Sequence, residues 1–266
     1  KSLALGLGFD LGGVTPAIPP DHWEYYLQWL EEGFSGEMDY LNRNLDRRSD
    51  PEIVVPGARS LLCVGMNYEP NESLSPNDDR PRGKISRYAR GDDYHELMVG
   101  RLLKLLLEIQ VLVPSVEGRV YVDTGPVLER DFAAMAGLGW FGKHTNLINK
   151  QMGSWFFLGV IILTIELEYD SPELDHCGSC TLCIDACPTE AILKPYVLDS
   201  RRCISYLTIE LKGAIPTDLR LKMDNWVYGC DICQEVCPWN QKQACPTDEP
   251  AFQPREGLAA PDLWEL

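Results

Sequence analysis

Apolar positions along the chain fall into two kinds of run. Unbroken runs at 60–67 (SLLCVGMN) and 155–165 (WFFLGVIILTI) predict strands buried on both faces, and both are too short to cross a bilayer. A third strand is expected at 119–123 (RVYVD), ending in Thr124-Gly125-Pro126. Elsewhere apolar residues recur at helical spacing. Trp23, Tyr26, Leu27 and Leu30 follow a D-x-x-E capping box at Asp21 and Glu24 and stop at Gly33. A second capped helix opens at Asp93-Tyr94-His95-Glu96 and carries Leu97, Leu102, Leu103, Leu106 and Ile109. Leu128, Phe132 and Met135 predict a third, closing at Gly137-Leu138-Gly139.

Between these elements, residues 69–92 have loop composition and residues 169–172 (YDSP) read as a linker. The pattern predicts an α/β (α+β) domain over 1–170 and a second, cysteine-rich domain over 171–250. Residues 251–266, ending in APDLWEL, read as the start of a helical region. No repeat of solenoid period is visible.

Composition narrows the function. Apolar residues make up 45% and charged residues 24%, which excludes wholesale disorder. Lys and Arg number 24 against 40 Asp and Glu, a net charge of −16, so the chain does not coat nucleic acid by bulk charge. One local exception is the run Arg80, Arg82, Lys84, Arg87 and Arg90, free of acidic residues and joined by Arg201, Arg202 and Lys212. It suits the phosphates of a nucleic-acid loop, or is simply a solvated loop. No secretion signal is visible at the start of the sequence.

Nine of the ten cysteines lie between Cys177 and Cys245. Cys177-x2-Cys180-x2-Cys183-x3-Cys187-Pro188 has the spacing of bacterial ferredoxins, in which the fourth cysteine serves the other cluster. A second set, Cys230-x2-Cys233-x3-Cys237-Pro238, lacks one spacer cysteine, and Cys203 stands alone between the sets. Crosswise sharing gives Cys177, Cys180, Cys183 and Cys237 to one 4Fe–4S cube and Cys187, Cys203, Cys230 and Cys233 to the other. Cys63 is left as a buried strand thiol and Cys245 as an exposed one. Structural zinc also uses C-x2-C sets, but as independent pairs of pairs. Two cubes in one small domain imply one-electron relay to an acceptor held by the first domain.

Five blocks, V-D-T-G-P-V-L-E-R (122–130), G-L-G-W-F-G-K-H-T (137–145), S-R-Y-A-R-G-D-D-Y-H (86–95), R-R-C-I-S-Y-L-T-I-E-L-K-G-A-I-P (201–216) and Y-G-C-D-I-C-Q-E-V-C-P-W-N (228–240), together resemble the epoxyqueuosine reductases. That resemblance implies a nitroreductase-like cobalamin-binding domain followed by a ferredoxin-like domain with two 4Fe–4S clusters. It also implies reduction of epoxyqueuosine to queuosine at the wobble position of tRNA, by a cytoplasmic monomer fed by a reducing electron donor, with no membrane partner. The family usually continues into a helical region that helps hold tRNA.

The resemblance assigns Asp123 as proton donor to the departing epoxide oxygen, a task suited to a carboxyl in an apolar pocket with a raised pKa. From residues alone, Asp123 equally suits the turn before Thr124-Gly125-Pro126. Cobalamin in the family is bound base-off. In agreement, the D-x-H-x-x-G signature of histidine-ligated cobalamin begins at Asp93 and His95 but has Met98 where glycine is needed. Tyr88 falls where the family places a residue near the upper corrin face, and Arg48, Lys143, Asn146, Leu147 and Ser154 match positions assigned to the cofactor's amides, nucleotide tail and phosphate. Lys143 reads otherwise as a solvated charge. Ser205 and Asp231, beside Cys203 and Cys230, lie either between cluster and corrin or in the hydrogen-bonded surround of a cluster. Two rivals share this layout: a cobalamin-dependent reductive dehalogenase and a non-catalytic iron–sulfur electron carrier.

Overall fold

The computed structural model describes residues 1–71 and 81–265. Its centre is a four-stranded antiparallel sheet of β1 (Leu11–Pro16), β2 (Ser60–Asn67), β3 (Gly118–Tyr121) and β4 (Phe156–Leu163), in the order β1-β2-β4-β3. The two inner strands are the unbroken apolar runs, and their alternation explains why they are unbroken. On β2, Leu62, Val64 and Met66 face one layer while Leu61 and Cys63 face the other; on β4, Phe157, Ile161 and Leu163 oppose Phe156, Val160 and Ile162 in the same way. Each fully buried side chain of this kind contributes about 1.5–3 kcal/mol.

Of three helices, α1 (Trp23–Glu31) reaches the cysteine-rich part through Trp29 Nε1, which donates to the Leu198 carbonyl at 2.7 Å, while α2 (Tyr94–Leu112) and α3 (Glu129–Met135) cover the sheet. On one face α2 packs Met98, Leu102, Leu105 and Leu106 against the strands. Asp93 caps it as expected, accepting from the His95 N–H at 2.9 Å, whereas Leu103, expected inward, is 46% exposed. Opposite, α3 supplies Phe132, Ala133 and Met135, together with Val54, Val55 and Ala58. Gly137 follows at φ +75°, the left-handed conformation that ends a helix.

The capping box expected at Asp21 does not form. The residue preceding α1 is His22, with no side-chain cap. A tertiary contact wins instead: the His22 N–H donates to buried Asp131 at 3.0 Å, and His22 Nδ1 lies 2.6 Å from the same carboxylate.

The cysteine-rich part is built from short turns of helix, Leu182–Asp185 and Ile232–Glu235, which pack on each other, and a small core of Ile204, Tyr206, Leu207, Leu219, Met223 and Trp226. It is tied to the first part by a parallel pairing of Lys84–Ile85 with the Trp226–Tyr228 strand. At the C-terminal end, residues 250–252 form a single helical turn. Phe252 enters the sheet-side core against Phe157, and Gly83 N–H donates to the Pro261 carbonyl at 2.7 Å. Among the described residues no helix is long and apolar enough to cross a membrane.

The Asp131 hydrogen bond raises the His22 pKa above 6.5, so this pair's stabilisation is complete below about pH 6.5 and is lost as pH rises through the folded-state value. Thermal unfolding should show His22→Gln less stable than the parent at about pH 5.5 and converging with it by about pH 8.5; a gap that widens with pH would contradict the pairing.

Candidate functional site

Cys177, Cys180, Cys183 and Cys237 line one cavity of about 410 Å³, walled also by Ile148 and Trp239. The remaining four, Cys187, Cys203, Cys230 and Cys233, gather nearby: Cys187 and Cys203 both bear on the ionisation of Cys230, and Cys203 and Cys230 on that of Cys233. Cys183 also bears on Cys233, so the two nests abut. Burial pushes the Cys183 thiol up to about 11 and Cys230 up to about 12. Cys63 is buried in the sheet and Cys245 is exposed.

Backbone N–H groups are aimed at these sulfurs. Ala191 donates to Cys187 Sγ at 3.3 Å, and the amides of Ser205 and Tyr206 favour the Cys203 thiolate. Ser205 therefore acts on its neighbouring ligand through its backbone. Trp140 Nε1, buried without a hydrogen-bonded partner, lies close enough to Cys177 to favour its thiolate. Such donors raise the reduction potential of a bound cluster.

A buried polar seam joins this part to the sheet. Asp231, 0% exposed, accepts from Ser86 Oγ, from the Arg87 N–H at 2.8 Å and from the Arg87 guanidinium at 3.1 Å. Arg87 also reaches Glu235 at 2.8 Å and stacks over Trp155 with 4.5 Å to the ring centre. Beside it, the Ser154 N–H donates to Asn240 Oδ1 at 2.6 Å and Ser154 Oγ to Gln234 at 2.8 Å, while Asn240 Nδ2 donates back to Ser154 Oγ at 2.8 Å. Asp231 and Ser154, expected at a cofactor, belong to this seam.

Other expected residues have internal partners as well. Lys143 is buried, and its Nζ is committed to the carbonyls of Gly178 at 2.6 Å and Cys180 at 2.8 Å, clamping the loop of the first nest. Leu147 packs in the sheet core and pairs with Phe141. Asn146 closes the turn through its backbone, which accepts from Gly142 N–H at 2.8 Å and donates to His144 Nδ1 at 3.2 Å. Most of the basic run also has internal work: Arg87 as above, buried Arg90 on the Ile85 carbonyl at 2.8 Å, and Lys84 on Asp224 at 2.6 Å. Arg80 lies outside the described residues. Arg201 pairs with Asp199 at 2.8 Å and Arg202 with Glu190 at 3.3 Å.

What the structure does bring together lies around Asp123. This residue sits at φ +60° in the turn after β3, and its backbone N–H donates to Glu129 Oε1 at 2.5 Å. Its carboxylate is 63% exposed, not in an apolar pocket, and lies 3.4 Å from His95 Nε2. His95 Nδ1 is 2.7 Å from Asp93. Arg48 reaches the Gly125 carbonyl at 3.4 Å, and Tyr88 faces Tyr228 with ring centres 6.3 Å apart. Asp123 bears on the ionisation of Tyr40, Tyr88, Tyr94, Glu129 and Arg130 alike, so all of them surround it.

Glu129 is half-buried and Arg130 exposed, and desolvation is the largest influence on each, lifting Glu129 to about 8 and lowering Arg130. Tyr40, Tyr88, Tyr94 and Arg48 stand around this acidic turn and form the candidate site with it. Sequence reasoning passed over Glu129, Arg130, Tyr94 and Tyr228, although all four lie inside the motif blocks.

Two families match the chain: a 4Fe–4S double cluster binding domain over residues 176–240, and Epoxyqueuosine reductase QueG, DUF1730, over residues 48–124. The epoxyqueuosine reductase of Cellulophaga algicola is 44% identical over the whole chain, which covers 84% of that protein. A solved epoxyqueuosine reductase with a tRNA-Tyr epoxyqueuosine-modified stem loop superposes with a TM-score of 0.91 at 32% identity, over 98% of this chain and 69% of that one. The Bacillus subtilis epoxyqueuosine reductase, solved with its catalytic aspartate loop swung out of the active site, gives 0.90 at 30% identity, over 98% and 69%. A catabolic reductive dehalogenase, at 17% identity and a TM-score of 0.54 over 91% of this chain and 31% of its own, shares the fold alone.

Replacing Asn240 by Ala should leave the Ser154 N–H buried without a partner and cost about 1–3 kcal/mol. Thermal unfolding of the reconstituted protein measures this, and an unchanged midpoint would contradict the seam's role.

Proposed function

The chain belongs to the epoxyqueuosine reductase family, and on that footing we propose that it reduces epoxyqueuosine to queuosine in tRNA through the site around Asp123. The observation that carries this reading is the pair of four-thiol nests, joined by a buried seam to a site that presents a solvent-open carboxylic acid. Converting an epoxide to an alkene consumes two electrons and two protons and releases water. The nests would hold two 4Fe–4S cubes, each supplying electrons one at a time.

Cobalamin fits the site by the chemistry of its residues: tyrosine faces suit a flat macrocycle, and Arg48, Tyr88 and Asp123 are the residues that would border it. Both His95 nitrogens lie beside carboxylates, Nδ1 by Asp93 at 2.7 Å and Nε2 by Asp123 at 3.4 Å. When bound, the cofactor supplies a low-valent cobalt as the reductant for the epoxide carbon.

Asp123 is the acid placed to deliver the proton. The departing oxygen leaves as an alkoxide unless it is protonated, and an exposed carboxyl at the site can reach it. His95 Nε2, 3.4 Å away and backed by Asp93, is placed to return a proton to Asp123 afterwards. Arg43 and Arg47 stand exposed on the segment that carries Arg48 and are the cations we assign to the phosphates of the stem loop. We place the enzyme in the cytoplasm as a monomer served by a reducing protein or small-molecule donor.

Anaerobic turnover of an epoxyqueuosine-bearing anticodon stem loop, with nucleoside analysis of the product, tests the reading directly. Asp123→Asn should lower turnover by about a hundredfold or more with iron and cobalt content unchanged; wild-type turnover in the variant would remove the acid assignment. Cys237→Ala should lower iron from about eight to about four per chain by emptying one nest alone. Bound zinc in place of iron would contradict the ligand assignment.

A further inference from the structure

The turn that carries Asp123 is an unfavourable one. A non-glycine residue at φ +60° is rare, and the turn closes so tightly that a Cβ at Gly125 would stand 2.2 Å from the Tyr121 ring. The Thr124 N–H donates to the Val122 carbonyl at 2.7 Å and closes the turn on itself, but its side-chain ties to the rest of the fold are weak: Arg48 reaches the Gly125 carbonyl at 3.4 Å and His95 reaches the Asp123 carboxylate at 3.4 Å, both at the long limit of a hydrogen bond. The strong contact to Asp123 itself is the 2.5 Å hydrogen bond from its backbone N–H to Glu129 Oε1.

Glu129 is the first residue of α3, and the helix start has no side-chain cap. Its carboxyl does not fold back on its own helix to satisfy that end. It reaches across the loop instead and closes a ring of backbone between Asp123 and itself. In the Bacillus subtilis relative the catalytic aspartate loop swings out of the active site, so a loop of this kind has two positions in the family.

We propose that Glu129 is the positioning residue for Asp123, a latch on its backbone N–H that keeps the proton-donating loop turned into the site. The inference rests on the epoxide-reduction reading and assigns within it a residue that touches neither cluster nor substrate oxygen. Desolvation raises the Glu129 pKa most and the Asp123 carboxylate adds to it, while the Asp123 N–H, Arg130 and Arg48 lower it; the thiol of Cys63 also faces it. With its pKa lifted to about 8, the side chain is mostly the neutral acid near pH 7, accepting through its carbonyl oxygen. Glutamine is then a close mimic, and alanine is not.

The test compares Glu129→Gln and Glu129→Ala in the protein loaded with both clusters and cobalamin. Two readouts are taken: hydrogen–deuterium exchange of residues 119–128, and kcat and KM for an epoxyqueuosine-bearing stem loop. Glu129→Ala should exchange faster across this segment and lose about tenfold or more in kcat, with KM changed by less than about threefold. Glu129→Gln should keep wild-type protection and a kcat within about threefold of the parent.

An alanine variant with wild-type kcat overturns the proposal, whatever its exchange. So does a glutamine variant that loses as much kcat as alanine while the segment stays protected, because the carboxyl would then act chemically. If the alanine variant fails to load its cofactors, the glutamine variant decides on the same two readouts. A wild-type chain that leaves the epoxide intact would remove the functional reading itself, whereas the exchange comparison addresses the latch without turnover.

Discussion

A single buried carboxylate holds the two halves of this molecule in one frame. Asp231 has no solvent contact and lies next to Cys230, yet its partners Ser86 and Arg87 come from the loop before α2, more than 140 residues earlier. A carboxylate in that position is tolerable only with a full set of donors, and removing one partner of a buried ion pair costs about 3–5 kcal/mol. The Ser154–Gln234–Asn240 network repeats the arrangement from β4's approach strand. These contacts favour one docking and penalise others, because each alternative leaves buried polar atoms unpaired.

That fixed docking gives the chemistry its geometry. Cluster loops are short and have little apolar core of their own, so their position must come from the sheet. Lys143 shows how: its ammonium, buried behind the 140–148 hairpin, holds two carbonyls of the Cys177–Cys183 loop. The Glu129–Asp123 bond sets the acid where α3 begins. The cysteine nests and the Asp123 turn are thereby carried on separate elements, each fixed by its own contacts to the sheet domain.

The cysteine nests were legible in the sequence because ligand spacing is a local property, set by the loop that wraps the metal. The inner strands were legible for a similar reason: burial on both faces leaves an unbroken apolar run. Polar residues were not. Lys143, Ser154 and Asp231 read as cofactor contacts because their motif blocks were recognisable, but their partners lie 35 to 145 residues away and spacing carries no trace of them. The basic run shows the same limit, since Arg87 and Arg90 look like a solvated patch until the tertiary fold encloses them. At Asp21 a sound local cap lost to the His22–Asp131 contact, which joins residues 109 positions apart. Glu129 is an intermediate case: six residues from Asp123 and inside a quoted motif, it could have been singled out by asking what holds a left-handed turn closed.

The central claim is that electrons stored in the thiolate nests reach the Asp123 site without leaving the chain. It is tested most directly by a single-turnover experiment on protein loaded with both clusters and cobalamin, reduced, and then freed of reductant under anaerobic conditions. Mixed with an equimolar epoxyqueuosine stem loop, such protein should form about one queuosine per chain as both clusters become oxidised and cobalt ends in the oxidation state it started from, since two one-electron centres then match one two-electron reduction. Clusters that stay reduced, with no queuosine until free reductant is supplied, would contradict it.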